Sequence, residues 1–263
     1  MSGTGSAPLF TVATVCLGDA AVLPGALDSA LAQDSPEYEY VVADGGSTDG
    51  TLALLETYES RFAGRLRWSS EPDDGLYDAM NKALRIAVGE YIVFLGSDDR
   101  LAPGALAAVA DELRHGPAPD IVCGATRVVG ESVTWEEPPR SFSKRHIAKR
   151  APARHQSIFV RRERALALGG FDPRFPMAAD YDLYLRLLEA GASERLIPAT
   201  LSEFRLGGVS NRSAIRTAME YRAVRVAHGA DPVVQMLVAL KSALGATLVG
   251  WWMRVTSGPT GAR

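Results

Sequence analysis

The stretch "EYIVFLGSDDRLAPGAL", residues 90–106, decides how this chain is read. Its run from Tyr91 to Leu95 has the continuous apolar character of a strand buried on both faces of a parallel sheet. It then breaks into Gly96, Ser97 and two adjacent aspartates, Asp98 and Asp99. Open α/β sheets gather ligands beyond the carboxyl ends of their strands, and a carboxylate pair there is suited to a divalent cation. Asp99 has a second reading, as the cap of a following helix with Pro103 in its first turn, because Asp and an early Pro are ordinary helix-start signals.

Working outward, "FTVATVCLG" (10–18) and "YEYVVADGG" (38–46) read as strands, and "LPGALDSALAQ" between them has helical spacing. That is a βαβ unit. "TDGTLALLETYESRF" (48–62) offers an Asp cap and then Leu52, Leu55 and Tyr58 at three-residue steps, so a second helix is expected. "RLRWSSE" (65–71) is a third strand. "GLYDAMNKALRIAVG" (75–89) is a third helix, with Met80, Leu84 and Val88 on one face and Gly89 at its end. The alternation predicts a doubly wound parallel sheet. Past residue 120 the rhythm changes: "DIVCGATRVVG" (120–130) and "SVTWEEP" (132–138) read as strands, and "DYDLYLRLLEAG" (180–191) as a helix with two carboxylates in its first turn.

Composition narrows the classes. A chain of 263 residues, 47% hydrophobic, can bury a large core. Its net charge of −3 gives no global basic field, which speaks against a nucleic-acid partner. The two cysteines, Cys16 and Cys123, form neither a metal cluster nor a disulfide framework and read as core thiols. "MSGTGSAPLF" lacks the basic start and long apolar centre of a signal peptide, so a cytoplasmic location is expected. "VVQMLVALKSALGATLVGWWMR" (233–254) approaches the length of a membrane span, but Gln235, Lys241 and Ser242 interrupt it. It reads as an interfacial or protein-packed helix. With Trp251, Trp252 and Arg254 at one end, it is expected to meet either an anionic membrane surface or, as the rival, its own domain or a homodimer partner. The segment 140–164, with nine Lys/Arg against one Glu, is either a solvated surface or a site for phosphate or anionic headgroups.

Four clusters fall at strand ends: Thr14 and Val15, "DGGSTDGT" (44–51), "EPDDG" (71–75) and "GSDD" (96–99). Together they describe one polar cleft. The chain has neither a dinucleotide-binding glycine pattern nor a phosphate-binding loop ending in Gly-Lys-Ser/Thr, which disfavours hydride transfer and ATP hydrolysis. A diphosphate leaving group would require a hard, oxygen-ligated cation, and an acceptor hydroxyl would require a fixed base on the opposite face.

The motifs "VVADGGSTDGT", "SEPDDGLYDAMNKAL", "GEYIVFLGSDD", "HQSIFVRRE" and "AADYDLYLRL" resemble, in order and over about residues 9–210, the family 2 glycosyltransferases of the GT-A fold, closest to the bacterial polysaccharide and glycolipid branch. The resemblance implies a Rossmann-like, mostly parallel α/β sheet flanked by helices. The GT-A domain would cover 1–205, with a donor half over about 9–101 and an acceptor half over about 102–205; a lid loop and C-terminal helices would follow over 206–263. It implies that Thr14, Val15, Asp44 and Asp74 contact the base and ribose of a nucleotide-diphosphate sugar. Asp98, with Asp99 beside it, would hold Mn²⁺ or Mg²⁺ against the diphosphate.

Asp180 matches the family's catalytic aspartate, with an alternative as a helix-dipole charge, whereas Asp182 reads as structural. His155, Gln156 and Arg154 become candidates for diphosphate or acceptor contact, the acceptor being a sugar or a lipid-linked one. Tyr77 and Trp135 are read either as stacking platforms or as core aromatics, and "FRLGGVSN" (204–211) as a lid. Two positions depart from the pattern: Gly96 stands for the first aspartate of the metal motif, and Ala179 for the Glu before the base. They keep a second class in view, a catalytically silent sugar-nucleotide-binding or scaffold protein.

Overall fold

Four parallel strands explain the apolar runs of the first half. In the computed structural model, which describes residues 7–35, 37–141, 153–206 and 214–240, β1 (Phe10–Cys16), β2 (Tyr38–Asp44), β3 (Leu66–Ser70) and β4 (Tyr91–Phe94) pair in the order β3-β2-β1-β4. All three of these ladders are parallel. Helices α1 (Leu23–Leu31), α2 (Thr51–Phe62) and α3 (Leu76–Ile86) connect the strands. Strands covered by helices on both faces must be apolar throughout, and β2 is buried at every position. Val12, Tyr40, Val42 and Val93 share one core with Leu27, Leu55 and Phe62. The chain leaves β1 toward β2 and later returns to its other side as β4, so the switch point at which such sheets bind ligands lies between β1 and β4.

Helix α3 ends at Ile86, one turn earlier than the spacing predicts. Val88 is 44% exposed, and its N–H goes to the buried Glu39 carboxylate. Gly89 is a packing glycine instead of a helix end: a Cβ there would lie 2.4 Å from the Thr11 backbone nitrogen, so only Gly lets the chain enter β4 so close to β1.

Beyond β4 the sheet continues through β8 (Ile158–Arg161), β6 (Ile121–Val129), β9 (Glu194–Arg205) and β5 (Arg100–Leu101), with β7 (Thr134–Glu137) pairing to β6. This half is mixed. β8 runs antiparallel to β4 and β6, whereas β9 runs parallel to β6. The β6–β9 register shifts between Cys123 and Ala125. Pro198, which cannot donate a ladder bond, falls in that irregular stretch. Helices α4 (Ala105–Leu113), α5 (Arg162–Ala167) and α6 (Ala179–Glu189) belong to this half.

The chain divides into two units, Met1–Leu206 and Gly207–Arg263. In the second, α7 (Ala214–Ala227) and a helical stretch over 232–240 are joined by a hydrogen bond from Arg225 Nη1 to Gln235 Oε1. Among the described residues no helix is long and apolar enough to cross a membrane. Residues 142–152 of the basic run, 207–211 of the expected lid, and the apolar segment from 241 through Trp251, Trp252 and Arg254 lie outside the described residues.

Candidate active site

Asp44 ends β2 and organises the loop behind it. Its Oδ2 accepts hydrogen bonds from the Gly46 and Ser47 amides at 3.0 and 2.9 Å and from Ser70 Oγ at 2.6 Å, while Oδ1 accepts from Ser47 Oγ. Burial alone would push this carboxyl up. The Ser47 and Ser70 hydroxyls and the two amides outweigh burial and hold it below the ordinary carboxylate range. The same loop is tied to the end of β1, because Gly18 N–H donates to Ser47 Oγ and Ala20 N–H to Asp49 Oδ2. Asp19 in turn accepts from Ser97 Oγ, which joins the ends of β1 and β4. The strand ends therefore form one hydrogen-bonded rim.

Thr14 and Asp74 differ sharply in their surroundings. Thr14 is fully buried: its hydroxyl donates to the Leu95 carbonyl at 2.9 Å and lies 2.7 Å from Tyr40 Oη. With its one proton committed to Leu95, Thr14 accepts from Tyr40, whose phenol burial keeps protonated. The side chain is thus a brace across β2, β1 and β4. Thr14→Val should leave the Tyr40 hydroxyl and the Leu95 carbonyl unpaired, a cost of about 1–3 kcal/mol. Thermal melting should register that loss while calorimetry shows nucleotide affinity within about twofold; a tenfold loss of affinity at unchanged melting temperature would return Thr14 to the donor site. Val15, by contrast, is half-buried at the strand end, near the rim.

Asp74 is exposed, and among the described residues only its backbone N–H is engaged, to Asp78 Oδ2. Its neighbour Asp73 turns inward instead. Asp73 Oδ1 accepts from Gly75 N–H, and Oδ2 packs so closely over Gly45 that a Cβ there would sit 2.4 Å away. Two adjacent aspartates look alike in sequence; the left-handed Gly75 (φ 112°) fixes which of them faces the Asp44 loop.

Across the sheet, α6 begins with Ala179 and carries Asp180 and Asp182 in its first turn. Asp182 is paired with Arg186 at 2.7 Å, and that guanidinium also donates to the Leu168 and Gly170 carbonyls, so Asp182 holds the approach to the helix. Asp180 Oδ1 accepts from Tyr77 Oη at 2.9 Å and from the Tyr181 amide at 2.8 Å. Tyr77 comes from α3 and packs on Phe171, with ring centres 5.4 Å apart, so it serves both as core aromatic and as an anchor for Asp180. Asp180 Oδ2 lies 4.0 Å from His155 Nδ1, beyond hydrogen-bond length. Burial lowers the pKa of His155 most; Asp180 opposes that, Arg154 adds to it and Asp98 opposes it, and the net direction is down. At neutral pH the imidazole is uncharged and can accept a proton.

Asp98 is half-buried, and among the described residues its carboxylate takes part in no hydrogen bond or ion pair. Asp99 is different. It is 2% exposed, with Oδ2 accepting from Gln156 Nε2 at 2.7 Å and Oδ1 from the Arg205 amide at 3.0 Å, and burial pushes its carboxyl up to about 7. Helix α4 has Gly104 at its N-cap without a side-chain cap, so Asp99 does not cap it, and each Asp99 oxygen accepts an N–H of the protein. Gln156 is likewise wholly buried, its amide donating to Asp99. Arg154 holds Glu137 through Nε and Nη2 at 3.2 and 3.3 Å and stacks over Phe204. Farther along the basic run, Arg161 binds Glu90 and lies over Tyr91, and Arg164 meets Asp120. These described arginines serve the fold through carboxylates and form no open phosphate surface. Trp135 stands on the exposed strand β7, 40% accessible, and is not a core aromatic.

Residues 11–171, more than half of the chain, match the family model described as "Glycosyl transferase family 2". The chain belongs to glycosyltransferase family 2. This glycosyltransferase is 34% identical over 214 residues to a PGL/p-HBAD biosynthesis glycosyltransferase of Mycobacterium bovis, a match covering 78% of this chain and 80% of that one. It is 31% identical over 172 residues to the chondroitin synthase of Escherichia coli, covering 63% of this chain and 24% of that protein. Among solved structures, the mannosyltransferase PcManGT from Pyrobaculum calidifontis, in complex with GDP-Man and Mn²⁺, superposes with a TM-score of 0.65 at 22% identity, covering 97% of this chain and 76% of its own. S. aureus TarS 1-349 in complex with UDP superposes at 0.62 and 20% identity, covering 88% and 69%. These two structural likenesses establish the GT-A fold.

Among the described residues of the glycosyltransferase, no group of three or more His, Cys, Asp or Glu side chains is arranged to hold a cation alone. One free carboxylate at the end of a central strand fits a different arrangement. Mg²⁺-type ions are commonly carried by one or two carboxylates together with substrate phosphates, and Asp98 has the chemistry and freedom for that role.

Proposed function

We propose that this glycosyltransferase takes its sugar from a nucleotide-diphosphate sugar and passes it, with inversion, to an acceptor hydroxyl. The observation carrying this reading is that the end of β4, which bears Asp98, and the start of α6, which bears Asp180, meet at the turn of His155: Asp99, next to Asp98, accepts from Gln156 Nε2 at 2.7 Å, and Asp180 Oδ2 lies 4.0 Å from His155 Nδ1. The end of β4 belongs to the strand-end rim and the start of α6 to the opposite half of the sheet. Structural neighbours solved with UDP, UDP-GlcNAc or GDP-Man support a nucleotide-sugar donor.

In this reading the loop ordered by Asp44, with Asp73 over Gly45, receives the nucleoside, and Asp98 faces the diphosphate. A divalent cation held there supplies charge neutralisation to the departing diphosphate. The acceptor oxygen attacks the anomeric carbon from the face opposite the leaving group. The new C–O bond forms as the bond to diphosphate breaks, its electron pair leaving with the diphosphate. The hydroxyl proton passes to Asp180 Oδ2, because Tyr77 and the Tyr181 amide already occupy Oδ1. A single displacement of this kind inverts the anomeric centre. Similarity to proteins of PGL/p-HBAD and chondroitin synthesis supports an acceptor in a cell-envelope glycolipid or polysaccharide.

Incubation with a panel of UDP- and GDP-sugars, with and without Mn²⁺, tests this by following free nucleotide. Mn²⁺-dependent release of nucleoside diphosphate from at least one donor is expected. A donor that raises the melting temperature yet is never turned over would identify a silent binding protein, and release of nucleoside monophosphate would identify a different reaction.

A further inference from the structure

Gly96 occupies a place where glycine is not required by the backbone. Its φ lies outside the left-handed region, yet a Cβ there would fall 2.6 Å from Asp99 Oδ2 and 3.2 Å from Asp98 Oδ1. The first distance is shorter than any normal contact, so the bare Cα is the floor on which the Asp99 carboxylate lies. Asp99 also receives the Gln156 amide and the Arg205 N–H, and its own N–H donates to the Gly96 carbonyl. Among the described residues Gln156 Oε1 is buried without a partner, so that side chain is oriented by its bond to Asp99. Gln156 sits in the 3₁₀ turn His155–Ser157, and Arg205 is the last residue of β9. Three segments therefore meet on one carboxylate: the end of β4, the turn bearing His155, and the end of β9.

We propose that Asp99 is the positioning residue of the diphosphate site, seated over the bare Cα of Gly96 so that Asp98 and His155 are held in place by one buried carboxylate. Gly96 and Asp99 are then a matched pair: a side chain at 96 can be present only if the carboxylate at 99 is displaced. The inference rests on the reading of Asp98 given above and adds to it a residue that touches neither the donor nor the acceptor.

A double-mutant cycle tests the pairing, using Gly96→Ala, Asp99→Ala and the combination. Calorimetry follows binding of UDP and of GDP, each with and without Mn²⁺, and each protein's melting temperature is recorded. Gly96→Ala is expected to weaken Mn²⁺-dependent nucleotide binding at least about tenfold in the native background and less than about twofold once Asp99 is Ala. Metal-free nucleotide affinity should be the same in all four proteins. Independent sites add, so equal losses in both backgrounds would overturn the pairing. Losses confined to melting temperature, with Mn²⁺-dependent binding unmoved, would reduce Asp99 to a structural residue. If Asp99→Ala does not fold, Asp99→Ser, too short to reach over position 96, takes its place in the cycle. A native protein that gains nothing from Mn²⁺ with either nucleotide would remove the cation role of Asp98 and this inference with it, and that result is visible before any variant is made.

Discussion

Asp98→Ala is expected to lower kcat/KM by about 10²- to 10³-fold while leaving the melting temperature nearly unchanged. Neutralising a diphosphate leaving group contributes several kcal/mol of transition-state charge stabilisation, and each ~1.4 kcal/mol is tenfold in rate. The stability side follows from the contacts. The Asp98 carboxylate is half-buried and makes no hydrogen bond or ion pair among the described residues, so its removal leaves no partner unsatisfied. Substitutions of that kind usually stay within about 0.5 kcal/mol. Titration of Mn²⁺ against donor turnover separates the alternatives: the variant should lose its response to the cation together with its rate. A variant that turns over at the native rate with the native Mn²⁺ response would move the diphosphate site away from the end of β4.

The elements that decide the fold were legible because they obey one strong rule. Buried parallel strands are rich in apolar and β-branched residues, and β1, β2 and β4 stand out as such runs between helical spacings, with Glu39 and Asp44 the charged exceptions in β2. Strands β8 and β9 were missed. β8 is four residues long and set inside a basic segment, and β9 contains Pro198 and alternates irregularly because it shifts register against β6. Their place is fixed by tertiary pairing, which no local pattern records.

The site divides the same way. The family resemblance put Asp44, Asp98, His155 and Asp180 forward as one set, and of these the structure sets Asp180 Oδ2 4.0 Å from His155 Nδ1. Spacing does not tell which of two adjacent aspartates packs inward: Asp73 lies over Gly45, and Asp99 receives the Gln156 amide. Burial is equally invisible to the motifs: Thr14 has its hydroxyl between Tyr40 and the Leu95 carbonyl, and Gln156 gives its amide to Asp99. The anchoring of Asp180 by Tyr77, 103 residues apart, left only a weak trace, an aromatic beside a glycine at a helix start.

The most direct test of the proposed chemistry is the kinetics of Asp180→Asn. The substitution preserves shape, and the amide oxygen can still accept from Tyr77 Oη and the Tyr181 N–H, so the local structure around α6 has no reason to change. What is lost is the proton acceptor at the second oxygen. General-base catalysis typically contributes about 10²- to 10⁴-fold, and because the base acts only when the acceptor hydroxyl is deprotonated, the loss belongs in kcat and not in donor binding. Steady-state turnover paired with calorimetric donor affinity should therefore show kcat down by about 10²- to 10⁴-fold at nearly native donor Kd. Native turnover accompanied by a lower melting temperature would contradict the account, making Asp180 a charge at a helix start and passing the role of base to His155.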